Sequence, residues 1–352
     1  MKNIAVVCPC FNEYDFVDDF VEVLANQSVF KRDEYSLHIL FIDGQSNDGT
    51  YQKLLDINKE GFDVIINENK HVSDGLNNAI NFLMPLDIDV LVRMDFHSVY
   101  PENYIEFLLD QFFLLKKSDP KMANIGVPIE TCPTDDSEVS LVISKAMSSK
   151  FGVGGSDFRV SKNLDSAVKV DTVPFGCFDF EVFREVGCFD TELIRNQDDE
   201  FNLRLVRNGY SIYLIPGLVV KYYCRNSIKK MSKMFFQYGY FKPLVNKKQS
   251  SFSSYRQFIP SIFVLSLFAC MMISFLTVVP LLTLSVVYSF FVLSFFISEL
   301  ASNSYNYIAF SRKFIISFLV LLSIHFSYGF GYINGALNVI FKFELKKQDI
   351  SR

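Results

Sequence analysis

Two short stretches of this chain carry residues whose types and spacing could do chemistry. Asn196-Gln197-Asp198-Asp199-Glu200 sets three acids in a row, and Arg93-Met94-Asp95-Phe96-His97 sets an acid two residues before a histidine. Carboxylates this close together are disfavoured unless a cation, a shared proton or a helix N-terminus compensates them. Two separate acidic clusters suit an enzyme that holds a metal with one and moves a proton with the other. Each residue also has a plain structural reading. Asp199 and Glu200 suit the first turn of a helix beginning near Phe201, and Asp43-Gly44 and Asn47-Asp48-Gly49 are turn signals.

The elements that position these groups follow from the apolar pattern. Continuous apolar runs at Ile4–Cys8, Leu37–Ile42, Val64–Ile66 and Val90–Met94 alternate with helical patterns such as Phe16, Val17, Phe20, Val23, Leu24 and Leu76, Ala79, Ile80, Leu83. Uninterrupted apolar strands alternating with helices imply a mostly parallel sheet covered on both faces, a Rossmann-like α/β architecture. On that sheet Glu13 falls in the loop after the first strand, Asp43 ends the second and Asp95 ends the fourth. Ligands of open α/β sheets lie outside the carboxyl ends of the strands, so three acids converge on the crevice. No Gly-x-Gly-x-x-Gly follows the first strand and no Walker loop is present, which argues against dinucleotide binding and P-loop hydrolysis. Farther on, Pro101–Leu115 reads as a helix, Asn124–Ile129 as a strand, and Pro133–Ser137 as a loop entering a helix. The glycine-rich stretch from Ser148 to Asp157 reads as a mobile loop, either a lid over the crevice or a plain surface loop.

The remaining third of the chain has a different character. Of 352 residues 50% are hydrophobic, yet residues 258–298 and 314–341 contain no Asp, Glu, Lys or Arg at all. A membrane span needs about 20 apolar residues, so the first stretch holds two helices with Pro280 as the break and the second holds one. Ahead of them, eight Lys and Arg between Arg225 and Arg256 stand without an acid, interleaved with Met231, Met234, Phe235, Phe236, Tyr238, Tyr240 and Phe241. This reads as an interfacial, cytosolic flank. A net charge of −5 and the adjoining spans exclude a nucleic-acid partner. Met1-Lys2-Asn3 leads straight into a short strand, with no secretory h-region, which places the preceding domain in the cytosol. The seven cysteines have no zinc spacing and read as small core residues. The expected organisation is a catalytic domain over 1–224, an interfacial segment over 225–257, a membrane region of two or three helices over 258–341 and a basic tail over 342–352. With three spans the Lys346-Lys347 tail falls outside, against the usual charge bias, unless the stretch around Gly329, Gly331, Asn334 and Gly335 lies in the interface.

Taken together these motifs resemble glycosyltransferase family 2, and within it the exopolysaccharide enzymes of the succinoglycan type. The family's opening strand with Pro and Asn-Glu is matched by Val6-Val7-Cys8-Pro9-Cys10-Phe11-Asn12-Glu13. Its second-strand motif is matched by Asp43-Gly44-Gln45-Ser46-Asn47-Asp48-Gly49-Thr50, and its Asp-x-Asp position by Arg93-Met94-Asp95-Phe96-His97. Its Glu-Asp-x-Asp-(Leu/Phe)-x-x-Arg motif is matched by Gln197-Asp198-Asp199-Glu200-Phe201-Asn202-Leu203-Arg204, and Gln237-Tyr238-Gly239-Tyr240-Phe241-Lys242 also suits the subgroup. The match spans about residues 1–245. The resemblance implies the A-type fold.

It also implies roles. Asp43 would hydrogen-bond the nucleotide base, Pro9, Phe11 and Glu13 would line the nucleoside pocket, and Lys70 would reach the nucleotide. Asp95 would bind a divalent cation, Mn²⁺ or Mg²⁺, bridging the donor diphosphate, with His97 as a second ligand. Asp198 would be the general base. The expected reaction is inverting transfer of one sugar from a nucleoside-diphosphate sugar, UDP-hexose above all, to a lipid-linked saccharide at the cytosolic face of the inner membrane. A hard cation neutralises the leaving diphosphate, and a carboxylate takes the acceptor proton as attack proceeds. The chain departs from the pattern where Arg93 replaces the first acid of Asp-x-Asp and Gln197 replaces a Glu. It also lacks tryptophan, and with it the Gln-x-x-Arg-Trp signature of processive synthases. An inert scaffold of a glycan-assembly complex and a nucleotidyltransferase of related fold are the rival functions.

Overall fold

The computed structural model describes residues 1–57, 61–160, 164–250, 252, 254–300 and 307–341. Its strands are β1 (Lys2–Cys10), β2 (Tyr35–Asp43), β3 (Phe62–Ile66), β4 (Val90–Arg93), β5 (Ser98–Val99), β6 (Met122–Gly126), β7 (Ile129–Cys132), β8 (Val168–Lys169), β9 (Cys177–Asp179), β10 (Ser211–Leu214) and β11 (Val220–Tyr223). Eight of them form one sheet in the order β3-β2-β1-β4-β9-β6-β10-β8, and β5, β11 and β7 form a small second sheet. The pairs β1–β2, β1–β4, β2–β3 and β6–β10 are parallel, whereas β9 runs antiparallel to both β4 and β6. The mostly parallel α/β sheet expected from the sequence is present.

Strand alternation explains why its strands read as continuous apolar runs. Ile4, Val6, Cys8, Ile39, Phe41, Val90 and Val92 enter one core, while Ala5, Val7, Leu40, Ile42 and Leu91 enter another. Successive side chains of a strand point to opposite faces, so each strand is buried on both. Helices Val17–Ala25 and Tyr104–Ser118 supply the first core, and helices Val72–Leu83 and Gln197–Arg207 supply the second. Phe183 and Phe201 stack with ring centroids 5.3 Å apart beneath the second face, fixing the helix that carries the acidic triplet.

The chain forms two compact units. Residues 1–130 and 161–222 make the first; residues 131–160 and 223–352 make the second. The second unit therefore takes in 131–160, a segment that the sequence groups with the catalytic region. In this unit the three helices Tyr255–Ile273, Val279–Glu299 and Phe310–Phe341 are long and apolar enough to cross a membrane. Pro280 stands in the first turn of the middle one, where its missing N–H is tolerated. The helix Tyr307–Phe341 runs unbroken through Gly329, Gly331 and Gly335, so those residues make no separate interfacial helix. Glycine there answers a packing demand. A Cβ on Gly335 would sit 2.0 Å from the Tyr240 carbonyl and one on Gly331 2.2 Å from the Phe236 carbonyl, so the helix Ile228–Gln249 lies backbone to backbone along it. The basic tail, residues 342–352, lies outside the described residues.

The stretch from Ser148 to Asp157 is not an open loop. Lys150–Val153 and Asp157–Val160 are helical turns, and the Phe151 ring packs edge-on against Phe291 and Phe295. The Phe151 carbonyl lies 2.8 Å from His325 Nε2, which ties the segment down. Its glycines serve close packing: a Cβ on Gly152 would lie 2.2 Å from the Ala146 carbonyl. All seven cysteines are free thiols, four of them buried, as small core residues would be.

Candidate active site

The loops after β1, β2 and β3 meet at Gly44. Its N–H donates to the Cys10 carbonyl at 2.9 Å. A Cβ there would come within 3.3 Å of the Cys10 and Lys70 carbonyls and 3.4 Å of Phe11 Cβ. Phe11 and Lys70 are thus brought beside the end of β2. Lys70 holds a left-handed backbone (φ 64°) and is exposed. Pro9 is half-buried within β1. The first two loops are laced together: Asn12 N–H donates to Ser46 Oγ at 2.8 Å, Asn47 N–H to Asn12 Oδ1 at 2.9 Å, and Tyr14 N–H to Asp48 Oδ2 at 3.1 Å. Asp48 also accepts from the Thr50 N–H and hydroxyl, hydrogen bonds that outweigh partial burial and hold its carboxyl below the ordinary range. It is a turn residue, as its setting implies.

Asp43 is 1% exposed, and its Oδ2 accepts from the Ser46 N–H at 2.9 Å. Glu13 is buried as well. Its N–H donates to Thr50 Oγ1 at 2.8 Å, and its Oε1 lies 3.1 Å from His97 Nε2, against whose ring Phe16 packs edge-on. Nothing in the sequence pairs Glu13 with His97; β1 and β4 are neighbours only once the sheet forms, and that adjacency brings their loops together.

The charged centre lies at the end of β4. Arg93 Nε and Nη2 donate to Asp95 Oδ1 and Oδ2 at 3.0 and 3.1 Å, and Nη1 donates to Asp198 Oδ1 at 2.8 Å. Burial disfavours the Arg93 cation, but Asp198 and Asp95 outweigh burial and push its pKa up, so the charge is permanent. Burial raises the Asp198 carboxyl above the ordinary carboxylate range, against the pull of Arg93 and with the help of the Asp95 and Asp199 charges. The Asp95 N–H donates to the Tyr100 hydroxyl at 2.8 Å, and burial holds that phenol protonated. Tyr100 carries no sequence signal that would mark it.

Asp198 reaches Arg93 because its helix begins at Gln197 rather than near Phe201. The three acids occupy the first turn, where the helix dipole favours negative charge. They then diverge. Asp198 meets Arg93, while Glu200 turns into the core and pairs with Arg204 at 2.9 Å, which also donates to the Val186 and Cys188 carbonyls. On the other side of Arg93 runs Val173-Pro174-Phe175-Gly176. Arg93 N–H donates to the Gly176 carbonyl at 3.0 Å, and Phe175 holds φ 59°, a strained conformation for an aromatic residue.

Among the described residues, no group of three or more His, Cys, Asp and Glu is arranged to hold a metal. What the site offers is one carboxylate. The Asp95 side chain is 31% exposed, and each of its oxygens keeps a second lone pair beyond the one that Arg93 engages. This fits a hard cation that takes most of its ligands from water and phosphate rather than from a protein cage. His97 has one nitrogen on Glu13, which leaves Nδ1 as its remaining coordinating atom.

Asp43 ends β2, Asp95 lies just past β4 and Asp198 stands in the first turn of a helix joined to them through Arg93, on a sheet whose fold is that of the A-type glycosyltransferases. Residues 5–121 match the model of glycosyl transferase family 2. Over that segment the chain is similar to family 2 glycosyltransferases, and it is a glycosyltransferase. It is 29% identical over 257 residues to the dolichyl N-acetyl-alpha-D-glucosaminyl phosphate 3-beta-D-2,3-diacetamido-2,3-dideoxy-beta-D-glucuronosyltransferase of Methanococcus voltae, covering 70% of this chain and 75% of the relative. It is 25% identical over 256 residues to the succinoglycan biosynthesis protein ExoA of Rhizobium meliloti, covering 72% and 73%, which bears out the succinoglycan-type likeness of the motifs. Among solved structures, the mannosyltransferase PcManGT from Pyrobaculum calidifontis, in complex with GDP-Man and Mn²⁺, aligns over 97% of this chain and 88% of its own. Its TM-score is 0.52 at 14% identity, a likeness of fold.

Proposed function

We propose that this chain transfers a single sugar, with inversion, from a nucleoside-diphosphate sugar to a lipid-linked saccharide in the synthesis of an exopolysaccharide or cell-surface glycan. The observation that carries the reading is the joining of Asp95 and Asp198 on one guanidinium at the carboxyl ends of the strands. A donor-side acid and a proton-accepting acid at one centre suit an inverting transfer. Asp198 is the base. The acceptor O–H proton passes to Asp198, the oxygen bonds to the anomeric carbon, and the bond from that carbon to the diphosphate breaks with its electron pair on the leaving group. A carboxylate held above its ordinary pKa is the stronger base for that task.

The nucleoside is assigned to the strand-end loops. Asp43, held by Ser46, is the partner of the base; Pro9 and Phe11 flank it, Glu13 braces the loop from behind through His97, and Lys70 reaches toward the phosphates. A divalent cation, Mn²⁺ or Mg²⁺, on Asp95 with His97 beside it supplies positive charge to the diphosphate when bound. The acceptor class follows the Methanococcus voltae relative, named for a dolichyl N-acetylglucosaminyl phosphate. A UDP-hexose is the assigned donor, and GDP-Man in the mannosyltransferase complex makes guanine nucleotides the comparison to run beside it. The apolar helices support a membrane-bound enzyme, and the basic stretch from Arg225 to Arg256 supports a catalytic domain at the cytosolic face of the inner membrane.

Calorimetric titration of the full chain with UDP and GDP, in Mn²⁺, in EDTA and with Asp95→Ala, tests the donor site. The reading expects binding that needs the metal and disappears in the variant. Equal binding in EDTA and in Asp95→Ala would remove the cation from Asp95, and no binding of either nucleotide would remove the donor site.

A further inference from the structure

Arg93 stands where the family pattern has an acid, and the structure gives it two carboxylates at once. The residue is 5% exposed, its three guanidinium nitrogens each reach an acid oxygen within 3.1 Å, and its backbone N–H is fixed on Gly176. The side chains on either side are partly exposed, Asp95 at 31% and Asp198 at 36%. A buried fork between two accessible carboxylates is a rigid link between the two ends of the reaction centre. Resting on the transferase reading above, we infer that Arg93 is the positioning residue that couples the base to the donor. It holds Asp198 at a fixed distance from Asp95 and shifts its charge compensation from one side to the other during transfer.

The coupling is one of charge. Before transfer, one guanidinium cation faces two carboxylate anions. As the acceptor proton arrives, Asp198 becomes neutral and stops drawing on Arg93. In the same step the electron pair of the broken sugar–phosphate bond adds negative charge to the diphosphate on the Asp95 side. A cation already fixed between the two places serves the growing charge without reorganisation, which is where electrostatic catalysis is strongest. Lysine cannot do the same, because a point charge lacks the planar fork that engages both carboxylates together.

Two experiments test this. In steady-state transfer, Arg93→Met lowers kcat by about 10²–10³-fold, the usual loss for one preorganised donor. Arg93→Lys recovers about tenfold of it, and methylguanidinium added to Arg93→Ala restores part of the rate; donor KM stays within about threefold throughout. A kcat within about threefold of wild type in Arg93→Met or Arg93→Lys, or a loss appearing wholly in donor KM, would overturn the inference. Absence of transfer by the wild type would instead count against the function proposed above, and the link is then read from stability alone. Arg93→Met leaves two uncompensated acids, so adding Asp198→Asn raises the melting temperature of the full chain back toward wild type. A double variant that melts lower than Arg93→Met would show that no shared link exists.

Discussion

Asp198 Oδ1 accepts a hydrogen bond from Arg93 Nη1 at 2.8 Å, joining the first turn of the helix Gln197–Arg207 to the end of β4. This contact bears on the charge state of the proposed base. Burial and the Asp95 and Asp199 charges disfavour its ionised form, Arg93 favours it, and the balance leaves the carboxyl above its ordinary range.

The pH dependence of transfer follows in sign. In its proposed role Asp198 must be ionised to accept the proton, so activity rises with pH through a midpoint above the ordinary aspartate value of 3.8. Asp199→Asn removes one of the charges that raise that midpoint and moves the acid limb to lower pH. A limb that does not move in this variant, measured as kcat against pH, would separate Asp198 from the base role.

The glycine seam of the second unit predicts a stability defect. Gly335→Ala drives a methyl group into the Tyr240 carbonyl and forces two helix backbones apart. Overpacking of this kind costs about 1–3 kcal/mol. Thermal melts in detergent should show a clear fall for Gly335→Ala and little change for Leu337→Ala, whose side chain is exposed on the same helix. Equal melting temperatures would contradict the close approach.

Asp119 gives a stability test in the first unit. Partial burial works against its charge, but hydrogen bonds from Lys169, Ser211 and Tyr213 prevail and lower its pKa from 3.8 to about 2. A carboxyl depressed by folding adds stability above its unfolded pKa and loses it as pH falls through the folded value. Asp119→Asn therefore lowers the melting temperature at pH near 7, and its gap from wild type narrows below about pH 4. A gap independent of pH would refute this.

How far the sequence reached depends on the kind of interaction. Continuous apolar runs located β1, β2, β3 and β4 because strands buried on both faces show no alternation. The spans were legible because length without charge is a one-dimensional property. Asp43 and Asp95 were placed at the strand ends because the apolar runs Leu37–Ile42 and Val90–Met94 stop just before them. The Glu13–His97 and Arg93–Asp198 pairs were not legible as contacts, since both arise from strand order and helix placement, which no local pattern encodes. The stretch from Ser148 to Asp157 misled for a related reason. Its glycines look like freedom in sequence but serve close packing, with Phe151 seated on Phe291 and Phe295 and Gly152 against Ala146.

The most direct test of the central claim is transfer of radiolabelled sugar from a panel of UDP- and GDP-sugars to lipid-linked saccharides, comparing wild type with Asp198→Asn. The account predicts label in the lipid fraction with one donor. It also predicts a rate about 10²–10⁴-fold lower in the variant, the range for loss of a general base, with nucleotide binding retained. Undiminished transfer by Asp198→Asn would contradict it.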